Sequence, residues 1–159
     1  MLNSAPVLIL VHPGSMFGSM ADRFGKTEAL YARIEVAEQL EKWNGPIVIV
    51  DGFLSDEISV YDRLGRVIND VVAKGAIRID GCDDSGMLED VGARLNEILP
   101  LAGRKSFITG AWYFEDGSAG CVNSVASQVE KLGAAAIILD TAVKDPDGCL
   151  MKSRMSGCC

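Results

Sequence analysis

PVLILVHPGSMFGSM, residues 6–20, sets an unbroken apolar run, Pro6 to Val11, against a loop that carries the only histidine of the chain. A run this short and this continuous reads as a strand covered on both faces. Four further runs share its character: Ile47–Val50, Ala76–Ile79, Ser106–Thr109 and Ala136–Leu139. Between them apolar residues recur at helical spacing. Leu30, Ile34, Ala37 and Leu40 form one stripe, and Leu64, Val67, Ile68 and Val71 a second. Leu88, Val91, Leu95 and Ile98 form a third, and Val122, Val125, Val129 and Leu132 a fourth. Strands alternating with helices predict an α/β protein. Its expected form is a three-layer, doubly wound sheet of five parallel strands with helices on both faces. The pattern leaves two strand orders open, Rossmann-like 3-2-1-4-5 and flavodoxin-like 2-1-3-4-5.

The punctuation agrees. Gly45, Gly75, Gly103 and Gly133 fall where helices should stop before the next strand. Ser59 followed by Asp62 reads as an N-terminal capping pair. No repeat, linker or low-complexity tract divides the sequence, so residues 1–159 are expected to form one domain, with an irregular C-terminal segment from about residue 144, near Pro146 and Gly148.

Bulk composition narrows the function classes. A net charge of −7 argues against non-specific binding to nucleic acid or anionic membrane, both of which need a basic surface. Pro6–Val11 is too short to span a bilayer, and no basic residue precedes it as in a secretory signal. Apolar residues make up 48% and mean hydropathy is +0.20, which fits a self-associating surface and a possible homo-oligomer. The five cysteines, three of them in the last eleven residues, do not read as a disulfide framework. A reducing cytoplasm is therefore the expected compartment.

Ligands of open parallel sheets sit beyond the carboxyl ends of the strands. There the sequence supplies His12, Asp51, Asp80, Thr109 with Gly110, and Asp140. In the first loop Gly14 and Ser15 would offer backbone and hydroxyl donors, and Phe17 an apolar wall. A P-loop is excluded, because Gly25-Lys26-Thr27 lies far past the strand and Met20 stands where the first glycine is required. His12 would act as a general base or as a hydrogen-bond donor. Asp80, Asp83 and Asp84 have the chemistry to hold Mg²⁺, but the commoner role of Asp83 to Ser85 is to cap a helix, so no metal and no cofactor are assigned. Trp112, Tyr113 and Phe114 are expected on a long loop, as an aromatic ligand wall, a packed lid or a dimer contact. Cys121 should open the fourth helix, where the positive helix end favours the thiolate, and Gly120 would lend a backbone N–H to a developing oxyanion.

Two family resemblances rest on these residues. Thr109-Gly110 after a strand, Cys121-Val122 at a helix start and Gly133 before the next strand resemble the end of an isochorismatase-like cysteine hydrolase, with Phe17 matching a phenylalanine after the first strand. That resemblance implies a hydrolase of acyl or C–N bonds with Cys121 as nucleophile. His12 stands where the family has an aspartate, and Arg78 and Asp80 where it has a lysine, so proton transfer falls to His12 or Asp80. Asp80 with Gly86-Met87, Thr109 and Lys144 resemble the marks of a response-regulator receiver, which implies a non-catalytic signalling or oligomerisation module. The final Gly157-Cys158-Cys159 is similar to the prenylated ends of small GTPases. Without a P-loop or a guanine motif it reads as exposed thiols.

Overall fold

Five strands build one parallel sheet in a computed structural model that describes residues 5–52, 58–81, 90–116 and 120–145. They are β1 (Val7–Val11), β2 (Ile47–Asp51), β3 (Ile77–Asp80), β4 (Lys105–Tyr113) and β5 (Ala135–Ile138). Their order is β3-β2-β1-β4-β5, the Rossmann-like alternative. This order differs from the flavodoxin-like one that receivers share. A sixth strand of two residues, β6 (Val143–Lys144), which the sequence pattern does not reveal, pairs in parallel with the far end of β4.

The helices are α1 (Gly18–Phe24), α2 (Lys26–Lys42), α3 (Arg63–Ala73), α4 (Val91–Ile98) and α5 (Cys121–Lys131). Side chains alternate across each strand, so the central strands feed two cores. Val7, Ile9, Val11, Val48 and Val50 pack with Val91, Leu95, Val122, Val125 and Val129 of α4 and α5. Leu8, Leu10, Ile47 and Ile49 pack on the opposite face with Val36, Leu40, Leu64 and Ile68 of α2 and α3. Helices thus cover both faces. Full burial of every position holds for β1, whereas the edge strands β3 and β5 leave alternate residues exposed.

Several local expectations change. On α2 the buried residues are Ala29, Val36, Ala37 and Leu40, while Leu30 is 43% exposed. Ile98 of α4 is likewise exposed. Asp62 caps α3 by itself, accepting from the Leu64 N–H at 2.9 Å, and Ser59 accepts instead from the Tyr61 N–H. Trp112 and Tyr113 are not in a loop. They extend β4 beyond Thr109 and Gly110, and Phe114 follows directly. Gly110, at φ 108, lies against β1 so closely that a Cβ there would stand 2.0 Å from the Val11 carbonyl oxygen. The expected irregular segment gives β6 at its start and otherwise lies outside the described residues, as do Asp83, Asp84, Leu88 and the final cysteines. No described helix is long and apolar enough to cross a membrane.

Candidate functional site

β1 and β4 are neighbours although four α-helices and two strands of chain separate them, and at this crossover the strand order reverses. Register then lines up three strand ends. Val11 pairs with Val50, and Asp51 with Asp80. His12, Asp51 and Asp80 therefore stand at one level along the carboxyl edge of β1, β2 and β3.

His12 ends β1 abruptly. Its N–H donates to the Val50 carbonyl at 2.8 Å, and its backbone is left-handed (φ 46, ψ 59). A non-glycine residue there costs about 1–2 kcal/mol, although histidine tolerates it better than most. The turn sends the chain into one 3₁₀ turn, Pro13–Met16, whose proline has the φ a helix start needs. The side chain of His12 is wholly buried, and neither Nδ1 nor Nε2 has a hydrogen-bond partner among the described residues. Burial pushes its pKa down to about 4, against a smaller upward pull from the Asp51 and Asp80 carboxylates. The ring is neutral near pH 7, with one N–H donor and one lone-pair acceptor both unmet. Each unmet group costs about 1–3 kcal/mol.

Gly81 makes room for this ring. A Cβ on it would stand 3.0 Å from His12 Nε2, 2.5 Å from Val50 Cγ1 and 2.6 Å from the Asp51 carbonyl oxygen. Arginines brace this edge. Arg78 donates to both oxygens of Asp51 at 2.9 and 2.8 Å, while Arg94 donates to the Asp80 carbonyl and pairs with Asp90. In sequence Arg78 appears only as a departure from a family pattern, and Arg94 carries no signal at all.

The loop after His12 is no phosphate cradle. Gly14 and Ser15 are buried, and Phe17 lies 4.8 Å beneath the Arg33 guanidinium. Arg33 also donates to the Met16 carbonyl and to Asp62, pinning the loop to α2 and α3. These groups form a packed floor under the site rather than an open wall.

The end of β4 behaves differently. Thr109 is buried, and its hydroxyl lies 2.7 Å from Thr141 Oγ1, which in turn donates to Gln39 Oε1 at 2.7 Å. With the Thr141 proton engaged there, Thr109 is the donor of the pair. Trp112 is 2% exposed and packs 5.9 Å from Phe24 on the α1–α2 side. Asn123 accepts from the Phe114 N–H and donates to the Phe114 carbonyl, both at 2.9 Å. Gly120 precedes α5, and a Cβ on it would stand 2.6 Å from the Trp112 carbonyl oxygen and 2.7 Å from Asn123 Oδ1.

Cys121 is the first residue of α5, as expected, and it is buried on the α4–α5 side. It is disulfide-bonded, which corrects the expectation of free thiols, and the other four cysteines lie outside the described residues. A disulfide sulfur is not a thiolate, so the nucleophile expected at this position is absent in this oxidation state.

The expected site residues thus divide. His12, Asp51 and Asp80 come together, Gly14, Ser15 and Phe17 pack beneath α1 and α2, Thr109 and Trp112 belong to the interior of that side, and Gly120 and Cys121 begin α5. Searches of family models, curated proteins and solved structures find no match to this chain.

Proposed function

We propose that this chain is a small-molecule-binding α/β protein whose ligand lies over the carboxyl ends of β1, β2 and β3 and hydrogen-bonds to His12. The observation that carries this reading is the buried imidazole with two unpartnered nitrogens. Buried polar groups are rarely left unmet, and an exception at the ligand edge of a parallel sheet marks a place where a ligand or ordered water completes the bonding. A neutral imidazole asks for one acceptor and one donor, so the ligand is polar and bifunctional at that point. Asp51 and Asp80 flank it, which favours ligand hydroxyl or N–H groups over carboxylates.

Because the chain has a single histidine, its imidazole nitrogens give one unambiguous set of NMR signals. Screening polar fragments with those signals as the reporter is the direct test. Fragments that shift the His12 nitrogens and lose their effect in Asp51→Asn support the site. Fragments that bind only where the His12 signals stay still contradict it.

The start position of Cys121 favours a second reading, a cysteine-dependent hydrolase of the isochorismatase-like type. Here a thiol reductant must first reduce the disulfide. His12 or Asp80 then takes the Cys121 thiol proton as Sγ attacks an acyl carbon, and passes it to the leaving group as the scissile bond breaks. Water hydrolyses the resulting thioester to restore the thiol. Alkylation by iodoacetamide that requires prior reduction, then shows a midpoint below about pH 7, supports an activated thiol. A midpoint above about pH 8.5 removes this reading and leaves the binding site. The remaining alternative, a receiver-like signalling or oligomerisation module, drew on Phe17 and Trp112 as surface contacts. Both are buried, and it has lost that support.

A further inference from the structure

His12 is not the only unmet group at this edge. Arg94, in the first turn of α4, donates to the Asp80 carbonyl and pairs with Asp90 at 3.2 Å. Its Nε–H is nevertheless buried with no partner among the described residues. Asp80 precedes Gly81, and a Cβ on Gly81 would stand 3.0 Å from His12 Nε2. The unmet imidazole and the unmet guanidinium nitrogen therefore reach the same strand end, one from β1 and the other from α4.

Their hydrogen-bonding inventory selects a ligand. A neutral imidazole has one donor and one acceptor, so with the Arg94 Nε–H the unmet set is two donors and one acceptor. An ammonium ligand only donates and leaves both donors unmet. An anion only accepts, and it would enter a negative field. Asp51, Asp80 and Asp90 stand here beside Arg78 and Arg94. The sequence between β2 and α3, and between β3 and α4, adds acidic residues and no lysine or arginine. A hydroxyl has the complementary inventory: two lone pairs and one O–H. One hydroxyl is not enough, because the two imidazole nitrogens point away from each other and Arg94 stands on a different element. Several hydroxyls on one carbon skeleton are. Asp51 fits the same chemistry. Arg78 takes one bond from each of its oxygens, and a carboxylate has room for about four.

Resting on the His12 reading, we propose that the ligand is an uncharged polyol, a monosaccharide or a cyclic polyol, and that the Arg94 Nε–H is a further contact to it. Each unmet donor then meets an oxygen, and the imidazole acceptor and the Asp51 carboxylate receive O–H groups.

The probes are D-ribose, D-glucose and myo-inositol, with acetamide, acetate and ethylammonium as amide, anionic and cationic comparisons. Each is titrated into the full chain while the His12 imidazole ¹⁵N signals are recorded. At least one polyol should move those signals saturably and bind at least tenfold more tightly than any comparison. Arg94→Lys keeps the charge but removes the Nε–H, and should weaken that polyol about fivefold or more. Arg63→Lys, at an exposed position of α3, should change it less than twofold. Circular dichroism melts of both variants check that they fold, and the wild-type titrations do not depend on them. A comparison probe that moves the His12 signals as readily as every polyol overturns the polyol assignment and leaves the His12 site standing. Equal losses in the two variants overturn the Arg94 contact. Silence toward all six probes overturns the polyol proposal, and silence toward the wider fragment set removes the His12 reading with it.

Discussion

The two neighbouring central strands, β1 and β4, end in opposite ways. At the end of β4 side chains hold one another and the backbone: Thr109 reaches Gln39 through Thr141, Asn123 holds both backbone groups of Phe114, and Cys121 is locked in a disulfide. At the end of β1, one residue away from an equally apolar strand, His12 is left-handed, buried and unmet at both nitrogens. The contrast is what the binding site proposed above rests on. Saturated hydrogen bonding fixes a backbone, and unsaturated buried hydrogen bonding waits for a partner. The β4 end is the brace of this edge, and the β1 end is where the proposed ligand would complete the bonding.

The brace is broken most severely at Gly110. Gly110→Ala places a methyl 2.0 Å from the Val11 carbonyl oxygen, at a φ that disfavours alanine, between the two strands that carry the most buried residues. The expected cost is about 3 kcal/mol or more, read as a lowered urea midpoint. A loss under about 1 kcal/mol would mean that β1 and β4 can separate at this point and that the brace is not rigid.

The open end has its own signature in pH. The folded state binds a proton at His12 more weakly than the unfolded chain does, its pKa being about 4 against 6.5. His12 therefore leaves stability unchanged above about pH 6.5, and removes about 3 kcal/mol as the pH falls from there to about 4. In His12→Asn, which tolerates the left-handed backbone, that part of the acid destabilisation should vanish. Parallel urea unfolding of both proteins between pH 7 and 4 measures the difference. Identical pH slopes would show that His12 does not carry the penalty.

Asn123→Ala sharpens the contrast at a smaller magnitude. It strips the partners from both backbone groups of Phe114 and should cost about 1–3 kcal/mol while leaving the His12 NMR signals in place. If those signals move, the two ends are one coupled site. Asp62→Ala, which removes the α3 cap and the Asp62–Arg33 bond beneath the first loop, should cost about 1 kcal/mol by thermal denaturation. A larger loss, or a shifted His12 signal, would show that the loop floor is held mainly from α3.

Much of this was legible in the chain. Short runs rich in β-branched residues mark β1, β2, β3 and β5 to within a residue or so. Burial from both sides explains the unbroken apolar runs of β1 and β2, while β3 and β5 are edge strands with alternate positions exposed. β4 runs on through Gly110 and the aromatic residues, where a glycine breaks the pattern while pairing with β1 and β6 continues. The stripe on α2 misleads because its buried face uses Ala29, which alternation of large apolar residues does not single out, and exposes Leu30. Strand order depends on how crossovers pass over the sheet, which local periodicity does not encode. His12, Asp51 and Asp80 were readable as strand-end residues because parallel strands bring their carboxyl ends to one edge. That both imidazole nitrogens would be unmet, that Arg33 would stack on Phe17 and that Cys121 would be oxidised depend on long-range contacts, and the sequence carries no local trace of them.

The central claim is that His12 is a neutral, buried and open contact. Recording its imidazole ¹⁵N shifts against pH tests it most directly, since no other histidine competes for assignment. The account predicts a neutral ring throughout the physiological range and a midpoint near 4. A midpoint near 6.5 would describe a solvated histidine and contradict the account.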